Sequence, residues 1–266
     1  NKVGSTLRHV PNVDSLFRTQ LIAILASRVA GEGDLRSAAT LLSVVEGASE
    51  TTADRRSRAS VLWARSELAQ FSGDLEFAIE LMHQVFKMYV EEDDPLAIQR
   101  IVYRLGMLAS EFRDVSSEKI SLVKDLIEVQ LNKHHGEDLP EAMMWLWLYY
   151  AACQLALGDS SSALEVMDSL TADYALTESV LGYSEILYAL CELDCGNYDF
   201  VLERLGTARA IFEPLAGREW PNVSLRKIAF AYARMGDFDT AAEINSKAKM
   251  PESDFSWCLP NFLEQK

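Results

Sequence analysis

The sequence is poor in basic residues and in the residues that make turns. It has 25 Lys and Arg against 40 Asp and Glu among 266 residues, which gives a formal net charge of −15. Nucleic acids and anionic lipids are bound by clustered Lys and Arg, so this balance argues against both partners. With only 13 Gly and 7 Pro, the chain also lacks the turns of a β-rich or loop-rich protein.

Cysteine is also scarce. The four cysteines are Cys153, Cys191, Cys195 and Cys258, and they lack the dense spacing that staples small secreted domains. Free cysteine is among the most buried residue types, so we expect ordinary buried thiols. The sequence therefore predicts a protein of a reducing, cytoplasmic compartment.

Long hydrophobic runs are absent apart from residues 142–157, AMMWLWLYYAACQLAL, which carry no charge. The run is shorter than the roughly 18–20 residues that cross a bilayer. A helix that is apolar on all sides is more simply one that is buried between neighbouring helices. We therefore expect a buried helix here and no membrane contact.

Catalytic motifs are missing as well. The sequence contains no glycine-rich phosphate loop, no His-Glu-x-x-His metal site and no nucleophile elbow. His134 and His135 beside Glu137 and Asp138 could bind a divalent metal, but adjacent loop residues rarely converge on one ion. The sequence therefore predicts no catalytic residues, no metal and no cofactor, which indicates a protein that is not an enzyme.

Internal repeats organise the chain. A Gly-Asp or Gly-Asn dipeptide recurs, and Arg113-Asp114 stands where a further copy is due. Successive copies are 40, 40, 45, 38 and 40 residues apart. A fixed period in this range is typical of repeat arrays. The glycines are Gly33, Gly73, Gly158, Gly196 and Gly236.

The residues around these turns predict helix hairpins. Gly supplies a left-handed backbone that ends the first helix, and Asp or Asn then begins the second. A small side chain stands seven residues before each turn, where it lets two helices approach closely. These six residues are Ala26, Ser66, Gly106, Ala151, Ala189 and Ala229. The residues five after each turn are Ala38, Ala78, Glu118, Ala163, Val201 and Ala241.

This combination of small residue, turn and alanine resembles the tetratricopeptide repeat, most closely in GDLEFAIEL (73–81) and GDFDTAAEI (236–244). Units of about 40 residues, longer than the common 34, are similar to the variant arrays of bacterial signal-responsive transcription regulators. The sequence thus predicts an all-α fold, a right-handed α-α superhelix (solenoid) of about six hairpins over residues 15–249. Residues 1–14 are then a lead-in and 250–266 a C-terminal capping segment.

The resemblance also implies a binding face, because the first helix of each tetratricopeptide unit lines the concave side. In that register, the residues thirteen, ten and six before each turn face inward. Aromatic residues and Arg carry most of the binding energy of interfaces, so we expect a protein or peptide to bind there. The same side chains could instead only pack between helices. The candidate residues at these positions are Trp63, Glu67, Arg100, Tyr103, Trp145, Tyr183, Arg226 and Phe230, and Arg104 and Tyr149, one position further on, could flank them.

The functional hypothesis is a non-catalytic scaffold that binds a protein or peptide, as the sensor or effector-binding module of a larger cytoplasmic bacterial regulator. One alternative is a receptor for a small molecule or pheromone, with a closed pocket lined by the 142–157 helix. Another is a structural module for oligomerisation, and a homo-oligomer is compatible with each. We expect no direct contact with nucleic acid.

Overall fold

The computed structural model describes residues 15–51, 54–111, 115–133, 141–216 and 219–248. Within these ranges the chain forms twelve α-helices and one short 3₁₀-helix, without a strand, so the predicted all-α fold is confirmed. The expected lead-in, the expected capping segment, the turn at Arg113-Asp114 and the His134–Asp138 loop lie outside them. The described helices belong to two compact units, which divide between Asp93 and Asp94.

Unit 1 contains two hairpins, made of α1 (Ser15–Gly31) with α2 (Leu35–Thr51) and α3 (Arg55–Ser72) with α4 (Leu75–Glu92). The two first helices, α1 and α3, also pack against each other. The core between α1, α2 and α3 is aliphatic, and its buried side chains are Ile22, Ala23, Ala26, Leu42, Val45, Val61 and Ala64.

Unit 2 contains the remaining eight helices. They are α5 (Pro95–Ala109), α6 (Ser117–Leu131), α7 (Glu141–Ala156), α8 (Ser160–Asp173), α9 (Glu178–Asp194), α10 (Val201–Phe212), α11 (Glu219–Arg234) and α12 (Phe238–Lys247). Each first helix packs on the second helix of its own hairpin. The first helices also pack on one another in chain order, α5 on α7, α7 on α9 and α9 on α11.

The turns within the hairpins have the predicted glycine conformation. All five turn glycines are left-handed, with φ between 73° and 91°. At Gly73, the glycine amide donates to the Gln70 carbonyl (3.0 Å) and the Asp74 amide donates to the Ala69 carbonyl (2.9 Å). The same two bonds close the other four turns, so each helix end has partners for two of its last carbonyl groups.

The residue after the turn glycine begins the second helix in four of these five cases. The Asp159 carboxylate, for example, accepts a hydrogen bond from the Ser162 amide at 3.1 Å. The expectation that Asn197 also begins a helix is wrong. Helix α10 begins only at Val201, after Phe200, whose side chain makes no capping hydrogen bond.

The small residues before the turns lie where the two helices of a hairpin meet. Ser66 of α3 donates its hydroxyl hydrogen to the carbonyl of Ala78 in α4, at 2.9 Å. The corresponding Ala189 and Val201 are fully buried between α9 and α10. Glu118 departs from the pattern, because its position on α6 is exposed.

The uncharged run 142–157 forms α7, a largely buried helix of unit 2. Helix α7 packs on α5, α6, α8 and α9, and ten of its sixteen residues are buried. This confirms the expectation of a buried helix, since neighbours on every side explain its lack of a polar face. In the described part of the chain, none of the helices is long and apolar enough to cross a membrane.

Candidate functional site

The ten residues selected from the sequence differ in burial. Glu67, Arg104, Trp145, Tyr149 and Tyr183 are buried. Of the remainder, Trp63, Tyr103 and Arg226 are half-buried, whereas Arg100 and Phe230 are exposed to solvent.

Two of the ten lie in unit 1 and form a pair within one helix. The Trp63 indole donates its Nε1 hydrogen to the Glu67 carboxylate at 2.9 Å, four residues further along α3. The bond gives a buried carboxylate a donor, which offsets part of the cost of removing it from water.

Unit 1 also has a cleft that sequence reasoning did not find. It has a volume of about 320 Å³ and lies between α2, α3 and α4. Arg65 and Phe77 both line this cleft, and the Arg65 guanidinium stands 5.9 Å from the centroid of the Phe77 ring. The residues that line the cleft are Ala39, Leu42, Arg65, Leu68, Ala69, Ser72, Asp74 and Phe77.

Unit 2 brings four of the ten together, and we call Tyr103, Trp145, Tyr149 and Tyr183 the aromatic cluster. The Tyr103 ring meets Tyr149 edge-on, with centroids 5.2 Å apart, and Tyr149 meets Tyr183 in the same way at 6.1 Å. The Trp145 ring lies 6.0 Å from Tyr149 and 5.4 Å from Tyr183. The cluster joins α5, α7 and α9 through ring contacts of a favourable geometry.

A glycine of α5 allows α5 and α7 to pack closely at the aromatic cluster. The ring of Tyr149 lies on Gly106 of α5, where an added Cβ would stand 2.9 Å from the Cβ of Tyr149. Gly106 is the smallest of the six residues seven positions before the turns. Its lack of a side chain is therefore the local reason why α5 and α7 pack closely enough to join their rings.

One end of the aromatic cluster is polar. The buried Lys227 of α11 places its Nζ 5.4 Å from the centroid of the Tyr183 ring. The same ammonium donates hydrogen bonds to the carbonyl oxygen of Ser110 and to its hydroxyl oxygen, the latter at 3.3 Å. Burial raises the pKa of the Tyr149 and Tyr183 phenols, so both stay protonated at neutral pH.

Sequence reasoning missed Lys227, although a signal for it existed. Arg104, Tyr149 and Lys227 each stand nine residues before a turn, and only the first two were selected.

Glu141 was also not among the residues selected from the sequence. Its carboxylate accepts from the Trp145 indole at 3.4 Å and from the hydroxyls of Thr177 and Ser179 at 3.2 and 3.3 Å.

The other four candidates of unit 2 are three arginines and one exposed phenylalanine. Arg104 is buried, with Nη1 3.6 Å from the sulfur of Met107. Arg100 precedes it by one helical turn and is exposed. Arg226 and Phe230 occupy α11, where Phe230 is 45% exposed. Unit 2 therefore combines a packed aromatic cluster on α5, α7 and α9 with Arg100 of α5 and Arg226 and Phe230 of α11 at more accessible positions.

Among the residues with described positions, no group of three or more His, Cys, Asp or Glu side chains is arranged to hold a metal ion.

The repeated helix hairpins, closed by left-handed glycines and packed through small residues, define a TPR-like helical-repeat fold. No family model matches the sequence, and no curated protein matches it.

Solved structures with this fold include the quorum sensor NprR and a Rap protein. The apo form of the quorum sensor NprR from B. thuringiensis superposes with a TM-score of 0.58 at 10% identity, covering 93% of this chain and 68% of NprR. NprR in complex with its cognate peptide NprX superposes with a TM-score of 0.58 at 9% identity, covering 93% of this chain and 70% of NprR. A Rap protein complexed with Competence and Sporulation Factor superposes with a TM-score of 0.58 at 13% identity, covering 93% of this chain and 69% of the Rap protein. The chain therefore shares the fold of NprR and Rap proteins.

Proposed function

We propose that this chain is a non-catalytic sensor module that binds a peptide on the first helices of unit 2. The observation that carries the proposal is the aromatic cluster on α5, α7 and α9, with Arg100 of α5 and Arg226 and Phe230 of α11 at accessible positions on neighbouring first helices. Aromatic and Arg side chains dominate the binding energy of peptide and protein interfaces.

The buried and the accessible residues of this site have different roles in binding. Trp145, Tyr149 and Tyr183 form a rigid floor, because they are already packed against one another. The half-buried Tyr103 and the guanidinium groups of Arg100 and Arg226 contact the ligand. A preorganised floor lowers the entropic cost of binding, since few side chains must be ordered when the peptide arrives.

The fold likeness supports a peptide rather than another ligand. NprR has been crystallised with its cognate peptide NprX, and a Rap protein with Competence and Sporulation Factor. Two accessible Arg side chains suit a peptide that carries carboxylate groups, because guanidinium and carboxylate pair through two parallel hydrogen bonds.

We further propose that the module works in the cytoplasm as part of a bacterial regulator. Cys153, Cys191 and Cys195 are free thiols, which suits a reducing compartment. Binding along α5, α7, α9 and α11 would bias the packing of consecutive hairpins, and that shift is the signal passed to the rest of the regulator.

The test is an array of short synthetic peptides of randomised sequence, probed with the fluorescently labelled chain and followed by titration of the retained peptides. We expect Arg100→Ala or Arg226→Ala to weaken binding by about 2 kcal/mol, roughly 30-fold in Kd. Lys133→Ala, which removes an exposed cation elsewhere on unit 2, is the matched control and should leave Kd unchanged.

Two results would contradict the proposal. If the array retains no peptide, the peptide-binding function is wrong. If retained peptides bind the Arg100→Ala and Arg226→Ala variants as tightly as the parent chain, the peptide does not lie on these helices.

A further inference from the structure

Three turns of unit 2 lie side by side along one edge. Asp194, at the end of α9, joins them through its two carboxylate oxygens. Oδ2 accepts from the Ser160 hydroxyl at 3.2 Å, and Oδ1 pairs with the Arg234 guanidinium at 2.6 Å. We call this surface, residues 157–160, 194–203 and 234–239, the turn edge.

The turn edge carries aromatic side chains that face solvent. Tyr198 is 58% exposed, Phe200 55% and Phe238 70%. In the neighbouring turn, the residues at the positions of Tyr198 and Phe200 are Ser160 and Ser162. Leu157 and Leu202 are also among the exposed large apolar residues. Of the four exposed aromatic side chains in the described part of unit 2, three thus lie on the turns of the last two hairpins, and the fourth is Phe230.

Packing within the hairpins does not account for these rings. The buried residues at the start of α10 and α12 are instead Val201 and Ala241, which stand five residues after their turn glycines. Phe200 makes no capping hydrogen bond, and Asp237 rather than Phe238 caps α12. Neighbouring exposed apolar residues with a polar rim mark interaction sites on soluble proteins.

The rim of the turn edge is strongly acidic. Its exposed carboxylates belong to Asp159, Asp199, Glu203, Asp237 and Asp239. Of the cations nearby, Arg234 is paired with Asp194, Arg204 is paired with Glu185 and Glu192, and Lys124 of α6 acts electrostatically on Asp159. The edge therefore presents apolar rings within an excess of negative charge, which disfavours an anionic membrane and favours a cationic partner.

We propose that the turn edge is a docking surface for a basic amphipathic helix of a partner protein. Leu or Phe side chains of that helix cover Tyr198, Phe200 and Phe238, and its Lys or Arg side chains pair with the surrounding carboxylates. An amphipathic helix lays its apolar face on such a surface, while the basic side chains that border this face reach the acidic rim. The surface lies on the turns rather than along the first helices, so this proposal does not depend on the peptide site.

The test uses a synthetic helical peptide of Leu and Lys arranged in an amphipathic pattern, with binding to the full chain followed by fluorescence anisotropy. We expect the combined variant Tyr198→Ser, Phe200→Ser and Phe238→Ser to weaken binding at least tenfold. Val129→Ser is the matched control, because Val129 is equally exposed on another helix of unit 2 and should not affect Kd. Added salt should weaken binding to the parent chain, and a Leu–Glu peptide of the same pattern should not bind.

A second variant separates the acidic rim from the rings. Asp199→Asn combined with Glu203→Gln should weaken the Leu–Lys peptide and reduce the salt dependence. Because all five substituted side chains are exposed, we expect the helical circular dichroism of both variants to match that of the parent chain.

The proposal is overturned if the triple Ser variant binds the Leu–Lys peptide as tightly as the parent chain does. It is also overturned if the parent chain binds a Lys-rich peptide with a scrambled apolar face as tightly as the Leu–Lys peptide. Sedimentation gives a third result that would overturn it. If the parent chain dimerises, the triple Ser variant is monomeric and the Leu–Lys peptide does not compete, the occupant is a second copy of this chain.

Discussion

Lys227 binds Ser110 across 117 positions of sequence, joining α11 to the residue that follows α5. The ammonium is buried, and it reaches the carbonyl and hydroxyl oxygens of Ser110 while lying against the ring of Tyr183. The contact ties the first helix of the third hairpin to that of the sixth. It is thus one of the longest-range contacts within unit 2, and it closes the polar end of the aromatic cluster.

Lys227→Met should destabilise the chain by about 1–3 kcal/mol, because the Ser110 carbonyl loses a charged donor while Met fills the space of the Lys stem. Urea unfolding measures the change, and Lys133→Met at an exposed position is the control. A variant as stable as the parent would mean that burying the ammonium costs as much as its hydrogen bonds contribute.

Gly106→Ala should destabilise the chain by about 1–3 kcal/mol, because the new Cβ would overlap the side chain of Tyr149. Gly206→Ala is the opposite case. Gly206 is exposed inside α10 and an added Cβ meets nothing within 4 Å, so alanine should stabilise by about 0.5–1 kcal/mol. Thermal unfolding of both variants gives the comparison, and equal signs of the two changes would contradict the close approach of α5 and α7.

The fold could be predicted from the sequence because it depends on short-range chemistry. A left-handed glycine followed by a capping Asp is a local signal. At four turns the structure has both the left-handed glycine and the hydrogen bond to the capping Asp. The fifth turn shows the limit of that signal. Gly196 ends α9 as predicted, but Asn197 is followed by three more residues before α10 begins. Nothing in the local pattern distinguishes Asn197 from the capping Asp residues.

The candidate site could be predicted only in part. The register placed Tyr103, Trp145, Tyr149 and Tyr183 on adjacent first helices, and the structure joins their rings. The burial of each ring could not be predicted from the sequence, because it depends on how closely the neighbouring helices pack. Lys227 was overlooked because lysine is rarely buried, and its partner Ser110 is remote in sequence.

Asp159→Asn should destabilise the chain at neutral pH but not in acid. Hydrogen bonds from Ser162 hold the pKa of the Asp159 carboxylate below its ordinary 3.8. The ionised side chain therefore stabilises the folded chain above about pH 3.8, and this contribution is lost as the pH falls through the lower folded-state pKa. Urea midpoints of parent and variant at neutral and acid pH test the expectation. A difference that persists in acid would contradict it.

In a Cys258→Ser background, we expect one of the three remaining thiols to react rapidly with a chromogenic thiol reagent. Cys195 is exposed, whereas Cys153 and Cys191 are buried, and burial raises the pKa of each of these two thiols to about 12. The thiolate is the reactive form, so both should react only after unfolding. Counting the thiols modified before and after adding denaturant gives the result, and rapid modification of Cys153 would contradict the packing of α7.

The enclosed position of α7 has a consequence for synthesis of the protein on the ribosome. Helix α7 leaves the ribosome before two of the helices that cover it, and 38 residues separate its end at Ala156 from the end of α9 at Asp194. At roughly 5–20 residues per second, that interval lasts about 2–8 s. During this time α7, which has no charge after Glu141, has only α5 and α6 as cover. The nascent chain is therefore most prone to aggregation, and most in need of a chaperone, while α8 and α9 are being made.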